Sequence, residues 1–131
     1  MNKTIEFEDT SVRIYGFDNG TEVSEFHVII SVKNPFLTYT EQLTSVMEAF
    51  SSIRKTELEG AETVFKRYFL SDAANQSDEL MNWELETPNC ALSVIQQGPL
   101  NGTKIALWAY LLTEVTRCLD SETWPKTVET V

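Results

Sequence analysis

Cys90 carries the most reactive chemistry in this chain, since a thiolate is both a nucleophile and a soft metal ligand. A nucleophilic cysteine needs a base within hydrogen-bond reach. The only histidine, His27, lies far upstream, and no basic or acidic residue adjoins Cys90 in sequence. A free cysteine is also among the most buried residue types, so a structural place at the start of a strand competes with ligand binding. Lys66 and Arg67 are adjacent cations in an extended segment, and strand alternation sends their side chains to opposite sides. They therefore do not form one anion clamp, and each is expected to be solvated, ion-paired or turned to an interface. Gln96-Gln97 places two amides beside a Gly98-Pro99 turn, where they could recognise a polar ligand or simply meet water. Trp108 and Tyr110, two residues apart, share one strand face and offer a stacking surface to a neutral or aromatic ligand. His27 reads as a packed or partly exposed strand histidine rather than a base, and Asn75-Gln76 reads as cap chemistry for a helix.

Composition narrows the partners. The chain has 131 residues and a formal net charge of −10. Nucleic-acid binding draws on clustered Lys and Arg that displace condensed counterions. Here the ten basic residues are scattered, with Arg54-Lys55 and Lys66-Arg67 as the only adjacent pairs, so no nucleic acid is expected. No segment approaches transmembrane length, and the start Met1-Asn2-Lys3 runs straight into Thr4-Ile5-Glu6 with no apolar signal core. A cytoplasmic protein without a membrane partner is the expectation. Two cysteines, Cys90 and Cys118, and one histidine are too few for a disulfide scaffold or a zinc centre, so no metal and no cofactor are expected.

The elements that must position these side chains follow from periodicity. Residues 12–17 and 23–33 read as strands separated by the turn Asp18-Asn19-Gly20. Phe26, Val28, Ile30 and Val32 share one face of the second strand, with His27, Ile29, Ser31 and Lys33 on the other. Asn34-Pro35 ends it. Thr38 with Glu41 fits a capping box, and Tyr39, Leu43, Val46, Met47, Phe50 and Ile53 form a helical stripe, giving a helix over about 38–58 closed by Gly60. Residues 61–70 are strand-like, 77–86 can form a short helix, and 90–97 and 104–112 are two apolar runs. The link Gly98-Pro99-Leu100-Asn101-Gly102 makes those two runs look like a hairpin. In the last run Ile105, Leu107, Ala109 and Leu111 face one way, and Ala106, Trp108, Tyr110 and Leu112 the other. Both faces are apolar, so a second buried layer is needed; helices can cover one side and neighbouring subunits the other. One domain is expected over 1–119, followed by a polar tail at 120–131 that carries Trp124.

The segment Arg67-Tyr68-Phe69-Leu70-Ser71-Asp72 resembles the strand-end motif of the YjgF/RidA family, the reactive-intermediate deaminases also known as endoribonuclease L-PSP or translation initiation inhibitors. The run Glu41-Gln42-Leu43-Thr44-Ser45-Val46-Met47-Glu48-Ala49-Phe50 is similar to its first helix. Cys90-Ala91-Leu92-Ser93-Val94-Ile95 and Lys104-Ile105-Ala106-Leu107-Trp108-Ala109 resemble its last two strands. The resemblance covers residues 12–112 and rests on order and spacing together. It implies a chorismate-mutase-like α+β fold, with one mixed sheet and two helices on one face, assembled as a homotrimer with ligand sites in the clefts between subunits.

Two departures accompany that resemblance. Deaminases of the family carry an Arg at the start of the penultimate strand that holds a substrate carboxylate, and a Glu in the last strand that orders the attacking water. Those places fall here on Cys90 or its neighbour and on Trp108. A thiol lacks the fork geometry and charge of a guanidinium, and an indole N–H donates without acting as a base. The expectation is a divergent YjgF/RidA-like protein, with Cys90, Trp108, Gln96, Tyr110 and Arg67 as candidates for an inter-subunit small-molecule cleft and with weak or altered imine or enamine deaminase activity. The alternative is a non-catalytic binding or assembly module that retains the fold.

Overall fold

The structure, a computed structural model, describes residues 2–18, 23–85 and 90–114. The expected turn at 19–20, the end of the second helix at Glu86, the Pro88-Asn89 step, Cys118 and the Trp124 tail lie outside the described residues. In chain order the described elements are β1 (Asn2–Glu6), β2 (Thr10–Asp18), β3 (Val23–Val32), α1 (Tyr39–Lys55), β4 (Glu62–Leu70), α2 (Ala73–Glu84), β5 (Ala91–Gln96) and β6 (Ile105–Glu114). The six strands form one mixed sheet in the order β1-β2-β3-β6-β4-β5, parallel only between β4 and β5. An α+β fold is what the periodicities predicted.

The last two strands correct the hairpin expectation. β5 pairs with β4 in parallel, while β6 runs antiparallel between β3 and β4, so β4 separates the two apolar runs. The reason is the helix before β5. Parallel neighbours need a crossover connection, and α2 supplies it, closing β4–α2–β5 into one unit. β6 then takes the other flank of β4. There its two apolar faces are used: Ile105, Leu107, Ala109 and Leu111 are fully buried, and Ala106, Trp108 and Tyr110 are half-buried on the reverse.

β1 was not foreseen. Its sequence offers Ile5 as the one large apolar residue, and it forms because it pairs along the edge of β2 from Asn2↔Tyr15 to Glu6↔Ser11. α1 begins as expected, with Thr38 at the N-cap and a complete capping box with Glu41. It ends at Lys55 rather than near Leu58, and Gly60 sits at φ 87° in the turn that follows, a conformation glycine adopts without steric cost. α2 starts four residues earlier than expected, with Asp72 as N-cap. Asn75 and Gln76 are inside the helix and reach back instead: Asn75 Nδ2 donates to Asp72 Oδ2 at 2.7 Å, and Gln76 Oε1 accepts from the Asp72 N–H at 3.0 Å.

Both helices cover the sheet face that bears Val12, Ile14, Val28, Ile30, Tyr68, Leu70 and Ile105. From α1 the core takes Leu43, Val46, Met47, Phe50 and Ile53, and from α2 Leu80. Gln42 ties the helix layer to the sheet: its Nε2 donates to the Leu37 carbonyl at 2.9 Å and its Oε1 accepts from the Lys104 N–H at 2.8 Å. No described helix is long and apolar enough to cross a membrane.

Candidate functional site

The sheet face opposite the helices gathers the aromatic and cationic side chains. Register aligns Tyr15, His27, Tyr110 and Phe65 across β2, β3, β6 and β4, and aligns Arg13, Ile29, Trp108 and Arg67 in the next row. An irregularity between Thr63 and Phe65 shifts the phase of β4, so that Phe65 and Arg67 join the face of Trp108. Trp108 sits at the centre. Its Nε1–H donates to His27 Nδ1 at 3.1 Å, the two rings lie parallel with centroids 5.7 Å apart, and Phe65 meets the indole edge-on at 5.4 Å.

Arg67 lies against both rings, its guanidinium carbon 5.3 Å from the Phe65 centroid and 5.6 Å from that of Trp108. Its Nε donates to Ser93 Oγ at 3.3 Å, and among the described residues no carboxylate pairs with it. Stacked guanidinium planes keep their in-plane donors free for a carboxylate or phosphate. Tyr110 donates its hydroxyl to Glu25 Oε1 at 2.5 Å. Partial burial, reinforced by that carboxylate, pushes the phenol up to about 12, so it remains a neutral donor.

Lys66, the neighbour of Arg67, turns to the helix layer. Its side chain is 3% exposed and is held by Glu84 Oε1 at 2.7 Å and Oε2 at 2.8 Å. Tyr68 donates to Glu84 Oε2 at 2.5 Å and contacts Met47 Sδ at 3.6 Å. Burial first, then the Glu84 charge, drive the Tyr68 phenol far above its ordinary range.

Cys90 belongs to this helix-side neighbourhood. Burial pushes its thiol up, with Lys66 and Arg54 opposing and Glu84 adding to the rise. A thiol held protonated is a poor nucleophile. Gln96 lies at the far end of β5, where its Oε1 accepts from the Ala73 N–H at 3.2 Å at the start of α2.

Of the five candidate residues, then, Trp108, Tyr110 and Arg67 share one surface, while Cys90 and Gln96 lie apart from it. His27, Phe65, Ser93 and Glu25 complete that surface. Strand alternation places His27 opposite the Val28 face, but its bond to Trp108 depends on a β3–β6 register that joins residues 81 apart. Among the described residues, no group of three or more His, Cys, Asp or Glu could hold a metal ion.

No family model matches the sequence, and no curated protein matches it. A solved structure does match: a "putative translation initiation inhibitor" from Salmonella typhimurium, with 18% identity, a TM-score of 0.56, and coverage of 87% of this chain and 97% of that one. At that identity the likeness is one of fold. The chain therefore shares the α+β fold of that protein over most of its length.

Proposed function

We propose that this chain is a divergent YjgF/RidA-like protein that assembles as a homotrimer through its helix-free sheet face and holds a small molecule in the clefts between subunits, beside Trp108, Tyr110 and Arg67. A cytoplasmic location, with no nucleic-acid, membrane or cofactor requirement, is part of this reading. The observation that carries it is the half-buried ring set around a guanidinium that no described carboxylate neutralises. The fold shared with the Salmonella protein supports the same assignment. A planar ligand with an anionic group suits such a surface, stacking on an aromatic face while Arg67 takes the charge.

Deaminase chemistry is weakened or altered in this reading. The position expected to bind a carboxylate falls on Cys90 or its neighbour, where no guanidinium stands and the Cys90 thiol is pushed up by burial, and the water-ordering position falls on Trp108. Loss of a buried bidentate contact costs on the order of 2–5 kcal/mol, roughly thirtyfold or more in rate. One observation favours a non-catalytic variant of the reading: the charged groups that act on Cys90 are Lys66, Glu84 and Arg54, whereas Trp108 stands beside Arg67 on the helix-free face.

The test pairs two measurements. Ammonia release from freshly generated iminopropionate is expected to be at most weakly accelerated; rates equal to those of an Arg-containing homologue would overturn the altered chemistry. Tryptophan emission titrated with benzoate is expected to saturate in the wild type and to lose that response in Arg67→Ala and Trp108→Phe. Emission unchanged at millimolar benzoate would overturn the ligand site.

A further inference from the structure

The other end of the sheet carries a concave feature on the helix side, away from the aromatic face. A cavity of about 330 Å³ lies between the β1–β2 turn and the flank of α1, lined by Phe7, Glu8, Asp9, Thr10, Ser45, Glu48 and Ala49. Its walls are fixed. The turn is closed by the Phe7 N–H donating to the Thr10 carbonyl at 2.9 Å, and tied to the end of β3 by the Lys33 N–H donating to the Asp9 carbonyl at 2.8 Å. Ser45, Glu48 and Ala49, spaced i, i+3 and i+4, present one face of α1 to it.

Two independent observations give the cavity a chemical character. The first is charge. Three of the seven lining residues are carboxylates and none is basic. The lysines nearest in the fold are engaged elsewhere, Lys33 with Glu6 at 3.1 Å and Lys3 with Glu57 at 3.0 Å, and among the described residues no cation pairs with Glu8, Asp9 or Glu48. The second is Thr10. It is 1% exposed, and its Oγ1 is buried without a hydrogen-bond partner among the described residues. Buried hydroxyls are nearly always satisfied, because an unmet one forfeits its hydration without return. Thr10 pairs with Val32 on the helix-covered face, so its side chain stands toward α1 and the cavity.

We infer that this cavity binds a small organic cation, a primary alkylammonium, with the nitrogen at Thr10 Oγ1, the rim carboxylates of Glu8, Asp9 and Glu48 supplying charge attraction, and the alkyl stem against Phe7 and Ala49. An ammonium brings three donors and no acceptor, the complement of a hydroxyl oxygen among carboxylates. The carboxylates are spread around the rim and do not converge into a metal-ligating group, which selects an organic cation over a metal ion. The site is independent of the aromatic face and stands or falls apart from it.

The test is isothermal titration of the full chain with 1,4-diaminobutane at constant ionic strength. Saturable one-to-one binding is expected. Glu48→Gln is expected to weaken it by roughly fivefold, the effect of one open-site ion pair, and Thr10→Val to weaken it while raising the melting temperature of the unliganded protein. Glu59→Gln, an exposed charge away from the cavity, is expected to leave binding unchanged. Equal losses in Glu59→Gln and Glu48→Gln would reduce the effect to general attraction to an acidic protein and overturn the site. Absence of saturable binding, or full affinity in Thr10→Val, would overturn it as well.

Discussion

Lys66 and Arg67 show how much one peptide unit can separate. Strand alternation puts the first under the helices and the second on the open face. Lys66 loses nearly all its water and is compensated by both oxygens of Glu84, which also accepts from Tyr68. Arg67 keeps its charge available against Phe65 and Trp108. Removing one partner of a buried ion pair leaves the other charge stranded, at a cost of about 3–5 kcal/mol, whereas replacing both by apolar groups is often close to neutral. Lys66→Met alone should therefore destabilise the fold by about that amount in urea titrations, and Lys66→Met/Glu84→Leu should recover at least about 2 kcal/mol of it. Additive losses would show that the pair is not coupled. The opposite directions of Lys66 and Arg67 were legible from alternation alone. The Glu84 partner was not, because Glu84 was legible as a helix residue but the strand residue it meets depends on how α2 packs across the sheet.

Among the elements, β6 organises the rest. It lies between β3 and β4, takes the core on one face and Trp108 on the other, and is reached only after the chain has passed through α2 and β5. Its two apolar faces were readable and already called for cover on both sides. Its neighbours were not, since Gly98-Pro99 and Asn101-Gly102 between two apolar runs carry every local mark of a hairpin. What overrides those marks is the β4–α2–β5 crossover, a pairing decided between segments some twenty residues apart. Gln42 then locks the start of α1 to the start of β6, fully buried with both ends of its amide engaged. Gln42→Leu keeps the volume and strands the Lys104 N–H and the Leu37 carbonyl. Each orphaned group costs about 1–3 kcal/mol, so a loss of about 2–4 kcal/mol in equilibrium unfolding is expected, with faster hydrogen exchange at the Lys104 amide. Unchanged exchange there would mean that the amide finds another acceptor. β1 marks the limit of pattern reading: with Ile5 nearly alone, only its pairing with β2 makes it a strand.

At the scale of the whole molecule, the sheet is covered on one face and bare on the other. Helices supply the first cover. The second face presents Trp108, Tyr110, His27, Phe65 and Arg67, half-buried by one another but with no described layer above them. A surface of this kind, rimmed by charge, marks an interface or a ligand groove. The proposed trimer accounts for it by packing three such faces together, and it puts the ligand where subunits meet. The measurement that bears most directly on this account is sedimentation equilibrium of the purified chain at micromolar concentration, in the wild type and in Trp108→Glu. The account predicts a wild-type species of three times the 14.9 kDa chain mass, and dissociation of the folded variant to single chains. A wild-type monomer, or a trimer that Trp108→Glu leaves intact, would contradict it.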